Sequence, residues 1–143
     1  MTDRIIVKLK ISSVTLSCEE IASRISMTPD SMTKIGDPIP LTILVNEFNV
    51  WELSSGLDDT FSMEEQLVSL FKKTEPVQNN IYQLKNVADI NIACSIYCTT
   101  QPTLYLDADM IKKCCAIRAS VGFDVYWSCD SDCLVRRTGP EQE

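Results

Sequence analysis

The chain has 143 residues, 45% hydrophobic and 23% charged, with a formal net charge of −7 and no histidine. This balance predicts one folded domain that buries its own core, and it excludes the weakly hydrophobic composition of disordered chains. The acidic charge argues against nucleic-acid binding, which needs clustered Lys and Arg, and no run of about 18 apolar residues is present to span a bilayer.

From the N-terminus, Arg4 to Ile11 alternates, with Ile5, Val7, Leu9 and Ile11 on one face and Arg4, Lys8 and Lys10 on the other, which predicts a half-buried strand. Ser17 and Glu20 form a capping box for a helix carrying Ile21 and Ile25, with Pro29 just beyond it. Thr28 to Pro40, rich in Thr, Ser, Asp, Gly and Pro, predicts a surface connection. Strands are expected at Pro40 to Val45 and Asn49 to Ser54, joined by a hairpin near Asn46 and Glu47.

Ser62 and Glu65 form a second capping box, and an apolar stripe of Leu67, Leu70, Val77, Ile81 and Leu84 extends the helical pattern to Leu84. Pro76 falls inside that stripe, which predicts a kink or two short helices, because proline removes one hydrogen bond and clashes with the preceding turn. Ile90, Ile92, Cys94, Ile96 and Cys98 alternate with smaller or polar residues as a central strand does. Asp107 then caps a helix expected to end at Gly122, and Phe123 to Trp127 forms a last strand.

Leu16 to Ile21 and Leu106 to Ile111 occupy matching places after a strand and a short loop. Two such strand-helix-strand units predict an α+β fold: a ferredoxin-like, mainly antiparallel sheet packed by helices on one face, with the Ser62 to Leu84 helix inserted between the units. The domain is expected over residues 1–134, with a flexible tail over 135–143. Met1 to Ser13 shows no secretory pattern, so a cytoplasmic protein is expected, and the seven cysteines are then thiols rather than a disulfide framework.

The ordered features resemble a bacterial domain-of-unknown-function family, DUF4279. The resemblance covers most of the chain and rests on the Glu19 to Ile25 helix, Pro29, Gly36-Asp37-Pro38, Trp51 to Leu57, Glu75-Pro76, the Ile92 to Tyr97 strand, Leu106-Asp107 and the closing Phe123 to Tyr126. It implies a fold and no activity. Family members commonly place Lys directly before the Gly-Asp pair, whereas here Ile35 separates Lys34 from Gly36.

Without histidine the usual neutral-pH general base and the commonest nitrogen ligand for metals are missing, so no catalytic residue, metal or cofactor is assigned and a non-enzyme is expected. Cys94 and Cys98 would lie about 13 Å apart along a strand, whereas two thiolates on one zinc lie under about 5 Å apart. Cys114 and Cys115 diverge around a helix, which leaves Cys129 and Cys133, near Asp130 and Asp132, as a pair better read as a solvated turn.

Charge is distributed unevenly: from Ile35 to Phe71 there are seven acids and no Lys or Arg, while elsewhere acids and bases balance. This predicts an acidic binding face of Glu47, Glu52, Asp58, Asp59, Glu64 and Glu65 for a protein partner with a basic surface, as in an immunity-like inhibitor of a basic toxin. The alternative is a small-molecule or peptide cleft beside Gly36, Asp37, Trp51 and Ser54. No nucleic acid or membrane partner is expected, and the chain is expected to be a monomer or a weak homo-oligomer.

Overall fold

The computed structural model describes residues 3–127, which form a five-stranded mixed sheet with helices packed on one face. β1 (Arg4–Ser13) lies in the middle, antiparallel to β3 (Asn49–Ser54) on one side and to β4 (Asp89–Cys98) on the other. The short β2 (Ser31–Thr33) extends the sheet antiparallel to β3, and β5 (Ser120–Trp127) extends it parallel to β4, for the order β2-β3-β1-β4-β5.

Alternation decides which face is covered. Val7, Leu9 and Ile11 of β1, Trp51 of β3, and Ile90, Ile92 and Cys94 of β4 are all buried. They meet Ile21 and Ile25 of α1 (Cys18–Ile25), Leu67 and Leu70 of α2 (Met63–Thr74), Ile81 of α3 (Gln78–Tyr82), and Met110 and Cys114 of α4 (Ala108–Ala116) in one cluster. The intervening residues, among them Lys8, Lys10, Glu52, Asn91, Ser95 and Tyr97, face the other way and stay half-exposed, as a period of two requires.

Both capping boxes form, at Ser17 with Glu20 and at Ser62 with Glu65, and the Asp107 carboxylate accepts from the Met110 N–H at 2.8 Å. Pro76 splits the long apolar stripe: α2 stops at Thr74, a 3₁₀ turn takes Glu75–Val77, and α3 resumes. Pairing between β1 and β3 runs only from Lys8 opposite Ser54, so the first part of β1 lacks a strand partner on that side. Buried Gln66 supplies one. Its Oε1 accepts from the Val7 N–H at 3.0 Å and from Ser55 Oγ at 3.2 Å, while its Nε2 donates to the carbonyls of Ile5 and Phe61.

The structure differs from the sequence reading in three places. The strand order is not the ferredoxin-like one: β4, α4 and β5 form a parallel strand-helix-strand unit, but the chain leaving α1 reverses through β2 and returns as β3 antiparallel to β1. Residues 40–45 do not join the sheet, and the edge strand falls instead within Thr28 to Pro40, at β2; Pro38 and Pro40 carry no N–H for a ladder. Gly122 does not end α4 but lies within β5. Arg118 adopts the left-handed conformation there (φ 55°), and the Ala119 N–H closes the helix onto the Cys114 carbonyl at 2.9 Å. The residues expected to form a tail, and Cys129 and Cys133, lie outside the described residues.

Candidate functional site

Between β2 and β3 the chain leaves the sheet as a narrow arm. At its root the Gly36 N–H donates to the Asn46 carbonyl and the Asn46 N–H to the Asp37 carbonyl, each at 2.8 Å, and further out the Ile39 N–H donates to the Leu44 carbonyl at 3.0 Å. Pro38 and Val45 form the bridge between these rungs. The Asp37 carboxylate accepts from the Lys34 N–H at 2.8 Å, and Lys34 Nζ pairs with Glu19 at 3.0 Å, so the root is tied to α1. That contact holds the Glu19 carboxyl below its ordinary range, chiefly through the hydrogen bond from Lys34. Gly36 takes φ 89° with nothing within 4 Å of where a Cβ would sit, so backbone conformation rather than space selects glycine here.

The tip turns over Ile39 to Thr42, with the Thr42 N–H donating to the Ile39 carbonyl and its hydroxyl donating to the same oxygen at 2.8 Å. Leu41 holds a second central position with φ 64°, a conformation that suits glycine and costs most L-residues about 1 kcal/mol or more. Its side chain and that of Ile43 are fully exposed, at 106% and 100%, with Leu44 at 62% and Val45 at 52% beside them. An ordered, strained arm thus carries its apolar residues into water, where nothing in the domain's own packing rewards them. Sequence reading places these residues in a sheet. The contrary signals are the flanking prolines and the consecutive apolar positions 43–45, which leave no polar face for a half-buried strand.

The six predicted acids do not gather into one free patch. Glu52 lies on the open sheet face, 3.5 Å from Lys10 Nζ and accepting from Ser31 Oγ at 3.1 Å. Asp59 sits 3.5 Å from an Arg4 guanidinium nitrogen. Both bases come from β1, far away in sequence. Asp58 binds the Thr60 hydroxyl and N–H, which lowers its carboxyl below the ordinary range, and Glu65 closes its own capping box. Glu47, near the arm's root, and Glu64, on the first turn of α2, are exposed and make no ion pair or hydrogen bond among the described residues.

The predicted cleft residues are also kept apart. Gly36 and Asp37 belong to the arm, Trp51 is fully buried on the helix side of β3, and Ser54 faces the opposite side. The buried Trp51 indole N–H has no hydrogen-bond partner among the described residues. A groove of about 450 Å³ opens elsewhere, between α2 and α4, floored by Phe71 and Ile117 and flanked by Lys72 and Lys113. Cys18, Cys94, Cys98 and Cys114 are buried and Cys115 is exposed; burial, with Cys114 nearby, pushes the Cys94 thiol up to about 11, away from reactive thiolate character. Among the described residues no group of three or more Cys, Asp or Glu could hold a metal ion, and no helix is long and apolar enough to cross a membrane.

The molecule is therefore an α+β domain with one helix-covered sheet face and a projecting arm. The chain belongs to the family described as "Domain of unknown function (DUF4279)", whose model matches residues 3–128. No curated protein and no solved structure matches it.

Proposed function

We propose that this chain is a non-catalytic, cytoplasmic protein-binding domain that docks through its arm, the tip entering an apolar pocket with a basic rim on the partner. The observation that carries this reading is the pair of fully exposed side chains, Leu41 and Ile43, on a hydrogen-bonded arm whose turn holds Leu41 at positive φ. Burying each would contribute about 1.5–3 kcal/mol to association. Charge complementarity gives the rim its sign. Asp37 and Glu47 stand at the arm's root, where the nearby Lys34 is already paired with Glu19. An immunity-like inhibitor of a basic toxin is the member of this class that the net charge of −7 favours.

The test is capture of a partner from the source cells with the wild-type chain and with Leu41→Asp and Ile43→Asp variants. Each variant should keep its thermal transition, since the tip packs on nothing in the domain, and should weaken binding of the captured protein by roughly 30-fold, about 2 kcal/mol. Equal affinity in all three would remove the arm from the interface. A small-molecule or peptide-binding domain is the second reading, supported by the groove between α2 and α4 rather than by the surroundings of Trp51. Lys72 and Lys113 outnumber the one acid that also lines the groove, Glu75, which favours an anionic amphiphile, and a melting shift with a fatty acid that Lys72→Glu abolishes would support it.

A further inference from the structure

The two edges of the sheet are finished differently. β2 presents three residues and gives way to the arm, whereas β5 presents eight, from Ser120 to Trp127, with no proline, lysine or arginine and with Asp124 as its single charge. Natural edges of that length are usually shortened, charged, kinked or covered, because a row of unpaired N–H and C=O groups recruits another strand. No described element pairs with the outer side of β5. Its aromatic residues remain accessible on both faces: Phe123 at 39% and Trp127 at 53% on the helix side, and Tyr126 at 49% on the open side, stacked on Tyr97 with ring centroids 4.9 Å apart.

We infer that β5 is a homodimerisation edge, pairing antiparallel with β5 of a second copy across a two-fold axis at Phe123. The strand's own sequence argues for a second copy as the occupant. Val121 and Val125 lie two residues either side of Phe123 on the same face of the strand, so a two-fold there places Phe123 against itself and Val121 against Val125 of the other copy in one apolar row. On the open face the same register sets Asp124 opposite Gly122, which keeps the strand's one charge from meeting its symmetry mate. The helix faces of both copies then lie on one side, and the two sheets join into one.

Gly122 provides a probe that leaves the fold alone. Its backbone lies outside the left-handed region, and a Cβ there would meet only the Asn91 side-chain amide, at an ordinary 3.7 Å. Gly122→Asp sets like charges opposite Asp124 twice per dimer, and Gly122→Lys sets opposite charges there twice; each should move the dimer dissociation constant about tenfold, in opposite directions. Sedimentation equilibrium on the full chain, with circular dichroism to confirm folding, reads the result. The expected order of dimer affinity is Gly122→Lys, then wild type, then Gly122→Asp, with Phe123→Lys monomeric. A wild-type chain that stays monomeric at millimolar concentration overturns the inference. So does a dimer indifferent to both Gly122 substitutions, or hydrogen exchange showing β5 amides protected equally at all concentrations, which would mean that the chain covers its own edge.

Discussion

β4 and the arm are built from similar residues and end in opposite environments. Ile90, Ile92, Cys94, Ile96 and Cys98 of β4 are 5% exposed or less, while Leu41 and Ile43 on the arm are as exposed as side chains can be. β4 places an apolar residue at every second position, has no proline and pairs on both sides, with β1 and with β5. The arm spends its apolar residues in a consecutive run after Pro38 and Pro40 and pairs only with itself. Apolar content alone did not decide burial. Period and ladder-competent backbone did, and where they fail the apolar residues stay in water.

The covered side of that comparison should break hardest at Gln66. Gln66→Leu keeps the volume but removes the partner of four groups, the buried Val7 N–H and Ser55 hydroxyl and the part-buried Ile5 and Phe61 carbonyls, and a loss of about 4 kcal/mol is expected from urea unfolding, since each buried orphan costs roughly 1–3 kcal/mol. A loss under 1 kcal/mol would mean that another group or water takes over the pairing.

Alkali should next distinguish the two regions, because β4 carries the buried thiols of Cys94 and Cys98 and the arm carries none. With Cys94 raised to about 11 in the folded protein, the unfolded chain loses that proton first as pH rises above the ordinary thiol value of 9.0. This contribution is intact below pH 9 and is lost as pH rises toward 11, about 2–3 kcal/mol in all as an order of magnitude. Thermal melts from pH 8 to 11 should fall less steeply in Cys94→Ala than in the wild type.

The smallest effect sharpens the contrast most. Leu41→Gly relieves the left-handed strain at the tip and should raise stability by up to about 1 kcal/mol while weakening partner binding. A variant that lost both stability and binding would place Leu41 in the domain's own packing instead.

Much of the fold was legible in the residues. Alternation marked β1 and β4, capping boxes marked α1 and α2, and Pro76 marked the break before α3. Strand order was not legible, because β1 can accept β3 on either hand and nothing local records which. Nor was the site: a count of charge along the chain saw the acids of residues 35–71 but not Arg4 and Lys10, which β1 brings to Asp59 and Glu52 from a remote segment. The arm was misread as a strand because β-branched residues signal extended backbone whether or not a sheet receives it.

A photoreactive phenylalanine analogue in place of Ile43, set against the same analogue at exposed Lys112 on α4, tests the arm's role most directly. Irradiation of the source cells should give one dominant adduct from position 43, absent from position 112 and lost when Leu41→Asp is added, with basic residues of the partner bordering the cross-linked site. Identical adduct patterns from the two positions, or a position 43 adduct unaffected by Leu41→Asp, would contradict docking through the arm.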